Sequence, residues 1–284
     1  MLCAVTQNVS GKKNKKSFLI AKKFLYFGSV LKEHSKYIKA IEDCLTKQSP
    51  KLTAQQINAL SGYIGTKHQM LGLATSFQRE MAKKNYYLDL EHHDLLKVLD
   101  FLFKQSAVFE FKSTALYFLD HHYKKLNKKV LLKTMLAWVD YVDNWAHSDG
   151  LSKFYTRLLE EEGIETTFLG HLKKWNSDKN PWKRRQSMVS LLYYAKTKQK
   201  HLSFKTIISF VEPLLNDGEY FVQKGLGWTL RETYNLYPEF TFKFVDKNFS
   251  KISSTAFSAT CEKMSEKEKT ILKDKRKKFR KKSP

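Results

Sequence analysis

Cysteine is scarce in this chain. Its three thiols, Cys3, Cys44 and Cys261, form no CxxC pair and have no histidine at metal-ligand spacing. A reduced, cytoplasmic setting is expected, and a zinc site is not. Long apolar runs are missing too: no stretch reaches the roughly 18 residues that a membrane-spanning helix needs. The N-terminus does not read as a secretory leader, because Lys12, Lys13, Lys15 and Lys16 precede only a short apolar run that Lys22 and Lys23 close. Acidic residues are few beside the basic ones, 28 Asp and Glu against 51 Lys and Arg, for a formal net charge of +23. An excess of that size bears on partners and not on fold, and it favours phosphate backbones or anionic membrane surfaces. Period-two alternation is nearly absent, which leaves little room for sheet.

What the chain does have is helical periodicity. With 42% hydrophobic residues in 284 it can build one large domain or a solenoid. Residues 1 to about 17 are polar and lysine-rich and read as a flexible arm. Leu25 to Leu45 reads as a helix with Val30, Leu31, Ile38, Ile41 and Leu45 on its apolar stripe. Ser49-Pro50 breaks it, Thr53 caps a helix from Ala54, and the stretch from Ser61 to Gly72 reads as a turn-rich connection. From about Asp89 the stripes follow one another: Leu95, Leu96, Leu99, Leu102 and Phe103, then Ala115, Leu116, Phe118 and Leu119, then Val130, Leu131, Met135, Leu136 and Val139. Asn180-Pro181 is a helix start, with Asn as N-cap and Pro at the first helical position, and that helix runs through Met188, Leu191 and Leu192. Ile207, Ile208, Val211 and Leu214 mark another, and Asp217-Gly218 turns into one over Tyr220 to Tyr234. The segment Lys273 to Lys282, with eight basic residues and one acidic, reads as a disordered, solvated tail that adds sequence-independent affinity for nucleic acid. The expected fold is all-α, with antiparallel helix pairs stacked into a curved array.

Three segments rich in tryptophan and charge recur at nearly equal spacing. They are Asn144-Trp145-Ala146-His147-Ser148-Asp149, Asn180-Pro181-Trp182-Lys183-Arg184-Arg185, and Gly225 to Glu232 with Trp228 inside it. A plainer segment, Phe109-Glu110-Phe111-Lys112, stands one period upstream. Counting the last two from the helices that carry them, at Pro181 and Tyr220, the starts at 109, 144, 181 and 220 give a repeat of 35 to 39 residues, which suits stacked helix pairs. Trp145 and Asp149 are four apart and share a helix face. Taken alone, that pair reads as a packed Trp beside an exposed Asp. Arg185 follows Asp149 by 36 residues and Trp228 follows Arg185 by 43, each about one repeat on, which brings all of them to one surface of a solenoid and turns the reading towards a site.

Four stretches carry a resemblance to the AlkD-type DNA alkylation-repair glycosylases, enzymes built of HEAT-like helical repeats. They are Tyr63 to Leu73, Trp145 to Asp149, Trp182 to Arg185, and Gln223 to Glu232, and the likeness spans roughly residues 54 to 250. The most specific is the last, QKGLGWTLRE. Trp138 to Asp143 offers a competing register, but Asp143 would stand 42 residues before Arg185, too long for the family, and would put Val139 where an aromatic is expected.

The resemblance implies a HEAT-like solenoid with a concave, basic DNA-binding face. It implies a monofunctional glycosylase that hydrolyses the N-glycosidic bond of cationic N3- or N7-alkylated purines in double-stranded DNA, with the lesion left in the stack. Asp149 would be the catalytic carboxylate, stabilising positive charge on the sugar and positioning water. Trp145 and Trp228 would flank the cationic nucleoside. Arg185 would grip a phosphate near the lesion, and Tyr63 would stand close to it. No metal or small-molecule cofactor is implied, nor any membrane; the enzyme would be a monomer in the cytoplasm, at a bacterial-type nucleoid. One departure is that some family polar residues near the DNA are unmatched, as where Tyr193 follows Arg185, so backbone contacts are expected to differ.

Other features carry less. His92-His93 and His121-His122 resemble metal pairs, but neighbours on a helix point apart, so they read as surface or interface histidines. Gly225-Leu226-Gly227 lacks the strand and third glycine of a dinucleotide loop and reads as close helix packing. Lys183, Arg184, Lys173 and Lys174 are ordinary solvated charges one by one, and together they read as a DNA track. Trp138, Trp175 and Trp182 read as packing residues. The expected division is a basic arm and helical extension over 1–50, the repeat domain over 51–262 and a basic tail over 263–284. The competing function is a non-catalytic DNA-binding member of the same superfamily that recognises bent, branched or damaged DNA by shape and charge. A helical scaffold for an acidic protein partner is the third.

Overall fold

The computed structural model describes residues 11–84, 90–192 and 200–282. Among the described residues there are fourteen α-helices, a few single-turn 3-10 segments and no β-strand. The first seven helices are α1 (Gly11–Lys47), α2 (Ala54–Ile64), α3 (Thr75–Lys83), α4 (His92–Gln105), α5 (Phe109–His122), α6 (Lys128–Trp138) and α7 (Trp145–Leu158). They continue as α8 (Glu165–Trp175), α9 (Pro181–Val189), α10 (Phe204–Val211), α11 (Tyr220–Leu236), α12 (Pro238–Asn248), α13 (Ser254–Cys261) and α14 (Glu266–Lys282). None of them is long and apolar enough to cross a membrane. The chain divides into two compact units, Met1–Lys51 with Leu71–His121, and Leu52–Met70 with His122–Pro284.

In the first unit α1 packs on α4. Its buried side is Phe27, Val30, His34, Tyr37, Ile38, Ile41 and Leu45, a spacing of three and four that keeps one face inward. Leu31, expected on that stripe, is exposed, because Phe27, His34 and Tyr37 hold the inward positions instead. The helix begins at Gly11, so residues 11–17 of the expected arm are helical, while 1–10 lie outside the described residues. The α4 and α5 stripes are buried as the periodicity predicts. Glu110 ties α5 to the preceding loop by accepting from the amides of Leu71, Gly72 and Leu73 at 2.9, 2.7 and 3.3 Å.

The second unit holds α2 and α6–α14. Helix α6 packs with α7, α8 with α9 and α10 with α11, while α7, α9, α11 and α13 pack on one another in that order. This row is held by polar bonds as well as apolar burial. Fully buried Gln186 of α9 donates to the Ser148 carbonyl of α7 at 2.5 Å, and its oxygen accepts from Ser152 and Ser190 at 2.9 and 2.8 Å. Such a network is costly unless every member is paired, so it pins α7 against α9 in one register. Further along, a β-carbon on Gly227 of α11 would stand 2.5 Å from the Ala256 carbonyl oxygen of α13. Only glycine lets the two backbones approach this closely, which is the close packing read from the sequence.

The caps fall where the sequence places them. Thr53 accepts from the Gln56 amide and Gln56 returns a bond to the Thr53 amide, a full capping box. Asn180 accepts from the Trp182 amide, with Pro181 opening α9. Trp138 and Trp175 are core residues. The segment Lys273–Lys282 is a correction: it is the body of α14 and not a disordered tail. Ser265 and Glu268 cap its start through reciprocal bonds at 2.9 and 3.3 Å. Leu272 is fully buried, Lys275 binds Asp246 at 2.7 Å, and Arg276 donates to the Phe249 and Ile252 carbonyls at 2.9 and 2.7 Å. Tertiary anchoring of one face outweighs the repulsion among its cations.

Candidate active site

The candidate residues all lie in the second unit. Asn144 caps α7 by accepting from the His147 amide at 2.9 Å, so Trp145 is the first helical residue and Asp149 follows one turn later on the same face. Arg185 stands on α9, which Asn180 and Pro181 start. Phe221, Gly225 and Trp228 occupy one face of α11 at i, i+4 and i+7.

Arg185 joins the three helices. Its Nη2 donates to Asp149 Oδ1 at 2.6 Å and its Nη1 to the Phe221 carbonyl at 2.7 Å. The Arg185 side chain is 4% exposed and that of Asp149 is 23% exposed. The Arg185 Nε is buried and, among the described residues, has no hydrogen-bond partner. A β-carbon on Gly225 would stand 3.0 Å from both Cγ and Nη1 of Arg185, so the absent side chain makes the slot in which the guanidinium lies. Burial pushes the Asp149 carboxyl above the ordinary aspartate value, while the charge and hydrogen bond of Arg185 oppose the rise.

The candidate aromatic residues lie on α2, α7 and α11. Trp145 Nε1 donates to the Tyr63 carbonyl at 3.0 Å, and the two rings meet edge-on at 5.5 Å and 86°. Tyr63 is 74% exposed, near the end of α2. Gly65 ends that helix in the left-handed region at φ 74°, its amide donating to the Ser61 carbonyl. Asp143 holds the strap that follows, accepting from the Lys67 amide and the Thr66 hydroxyl, both at 3.0 Å, and from Asn144 at 2.7 Å. Burial works against ionisation of Asp143, but these bonds and the nearby His68 hold its carboxyl below the ordinary value. Asp149, and not Asp143, is thus the carboxylate that meets Arg185. Trp228 is half-buried on the α11 face that carries Phe221 and Gly225.

The other basic residues are engaged inside the protein. Lys183 binds Asp140 at 2.6 Å. Arg184 binds Asp217 through Nε at 2.6 Å and donates from Nη1 to the carbonyls of Asp178 and Lys179 at 2.9 and 3.0 Å. Among the described residues no three His, Cys, Asp or Glu side chains are grouped to hold a metal ion. Tyr193 lies outside the described residues.

A family model described as "DNA alkylation repair enzyme" matches residues 47–264. The chain belongs to that family. Among solved structures, it is similar to a predicted DNA alkylation repair enzyme from Enterococcus faecalis at 16% identity and a TM-score of 0.58, over 75% of this chain and 97% of that one. It is similar also to AlkD2 from Streptococcus mutans at 19% identity and a TM-score of 0.49, over 74% of this chain and 98% of that one. The first of these likenesses establishes the helical-repeat fold. No curated protein matches the sequence.

Within this family framework, two parts of the site escape sequence reasoning. Phe221 supplies the carbonyl that Arg185 binds, stacks on Trp182 at 5.1 Å and 30°, and has its ring 3.1 Å from where a Gly65 β-carbon would stand. A backbone carbonyl leaves no trace in side-chain pattern. The second is the role of Asp143, seen in the sequence only as a rival register, since its partners Thr66 and Lys67 stand 77 and 76 residues away. The one available signal for Phe221 is its spacing of four from Gly225 on a helix.

Proposed function

We propose that this DNA alkylation repair protein is a monofunctional DNA glycosylase, acting on cationic N3- or N7-alkylated purines in duplex DNA. The observation that carries the reading is the Asp149–Arg185 pair, 2.6 Å apart, with Trp145 one turn before Asp149 on α7 and Trp228 one turn after Gly225 on α11. A cationic alkylpurine leaves as a neutral base, taking the electron pair of the glycosidic bond. The sugar is left with oxocarbenium character, and a nearby carboxylate lowers the barrier by stabilising that charge. Water then bonds to the anomeric carbon and passes a proton to Asp149, whose raised affinity for protons suits that role. The faces of Trp145 and Trp228 attract the cationic nucleoside. Arg185 acts as the clamp that sets the carboxylate, and it contacts a DNA phosphate while keeping its bond to Asp149. Tyr63 is exposed and offers its ring to DNA beside Trp145, while Lys183 and Arg184 meet DNA phosphate by exchanging Asp140 and Asp217 for it.

The second reading, a DNA-binding protein without turnover, is favoured by the same pair, since one oxygen of Asp149 and both terminal nitrogens of Arg185 are already bound. Release of 7-methylguanine from a singly modified duplex separates the two. Base release by the wild type and its loss in Asp149→Asn, with binding to undamaged duplex retained, is the expected result. Tight binding with no release by either protein, for 7-methylguanine and 3-methyladenine alike, gives the non-catalytic reading.

A further inference from the structure

Helix α14 lies beyond the family match, which ends at residue 264. Against α13 it forms an open groove of about 730 Å³, whose floor includes Phe257 and Cys261. Lys269, Lys273, Arg276, Lys277, Arg280 and Lys281 line it from α14. They form two neighbouring rows of spacing three and four, 269-273-276-280 and 273-277-281, on one side of the helix. Two are fixed in place: Arg276 stacks over Phe257 at 4.2 Å, and Arg280 donates to Ser254 Oγ at 2.8 Å. The groove's carboxylates are already matched, Glu266 by Lys269 at 2.8 Å and Glu262 by Arg231 at 2.9 Å. Lys273, Lys277 and Lys281 are exposed and, among the described residues, have no ion-pair partner. Three unmatched ammonium groups thus repeat every fourth residue, about 6 Å apart along the axis at 1.5 Å per residue.

We infer that this groove is a second nucleic-acid site, which holds the phosphodiester backbone of duplex DNA away from the Asp149 centre; the inference rests on the proposed DNA-directed function. A regular row of cations suits a polyanion with regularly spaced charges better than a single headgroup or small anion. A membrane surface fits poorly, because an interfacial helix needs an apolar face to insert. Here Leu272 is spent on the core, and the two large apolar side chains of α14 that stay exposed, Ile271 and Phe279, are too few among its cations to make such a face; Phe279 also leans edge-on on Phe249 at 5.5 Å. The groove also adjoins α13, the last helix of the row that begins with the candidate active site. It is a built surface and not a loose tether, so position on the helix matters and not only total charge.

The test compares two full-length variants that remove equal charge from α14. Lys273→Gln/Lys277→Gln alters the groove face, and Lys267→Gln/Lys278→Gln alters residues outside it. Binding of an undamaged 25-base-pair duplex is followed from about 50 to 300 mM salt. The groove variant is expected to lose about 2 from the slope of log affinity against log salt, at about 0.9 per phosphate contact, with the outer variant close to wild type. Equal loss in both variants means a diffuse tether and overturns the groove. Wild-type slope in both overturns it outright, and selective loss of binding to phosphatidylglycerol vesicles reassigns it to membrane. Base release by the wild type is read in parallel: release with an unchanged slope sinks the groove alone, and a groove-dependent slope without release sinks the glycosylase alone.

Discussion

A full positive charge that is 4% exposed has to be neutralised where it stands, and Asp149 does this for Arg185. Replacing Asp149 with Ala strands that charge, and the expected loss is about 3–5 kcal/mol, read as a lower midpoint in urea unfolding. Asp149→Asn keeps an acceptor oxygen and is expected to lose less, which makes it the better probe of chemistry. The titration of Asp149 has a definite sign. Its carboxyl is raised by burial, and catalysis needs it ionised, so base release should fall as pH drops through a value above that of an ordinary aspartate. Arg185→Gln removes the opposing charge and should move that acid limb further up. A pH profile of single-turnover release with the limb at or below the ordinary aspartate range would remove Asp149 from the role. At this scale the sequence was legible for side chains and silent on backbone: Asp149, Arg185 and Trp145 could be named from type and spacing, the Phe221 carbonyl could not.

The elements are placed by two glycines and a set of caps. A methyl at Gly227 would enter the Ala256 backbone of α13, and overpacking of that kind costs about 1–3 kcal/mol. Gly227→Ala should therefore lower the melting temperature. Gly225→Ala meets the more flexible Arg185 and Val189 side chains. It should cost less stability yet shift the pH profile of base release, because it moves the clamp on Asp149. Loss of the N-cap in Asn180→Ala should cost about 1 kcal/mol in the same melts. Helix starts were readable because Thr53 and Asn180 accept from amides three and two residues away, and Pro181 has its φ preset for the first turn. The fate of α14 was not, because its order comes from bonds to Asp246, Phe249 and Ile252, 24 to 29 residues earlier. Its composition alone argues for a solvated coil.

Across the whole molecule, 51 basic residues against 28 acidic ones set a long-range attraction for phosphate. Affinity for undamaged duplex should fall by roughly 10³-fold or more between about 50 and 200 mM salt if six or more phosphates are contacted. Fluorescence anisotropy across that range checks this. Much of the positive charge nearest the candidate site is already balanced, as the pairs of Lys183 with Asp140 and Arg184 with Asp217 illustrate. Attraction by the molecule and contact at the site are thus separable quantities.

By itself the sequence determined the helical class, the starts of α2 and α9, the charge balance and the 36-residue offset from Asp149 to Arg185, because all of these depend on local pattern or simple spacing. Tertiary structure alone decided that Arg185 is buried against Asp149 and Phe221, that Lys183 and Arg184 are spent on internal pairs, and that the basic C-terminal segment is a helix bordering a groove. Those outcomes depend on which distant groups meet and how far water is excluded, and burial of that kind has no one-dimensional signature.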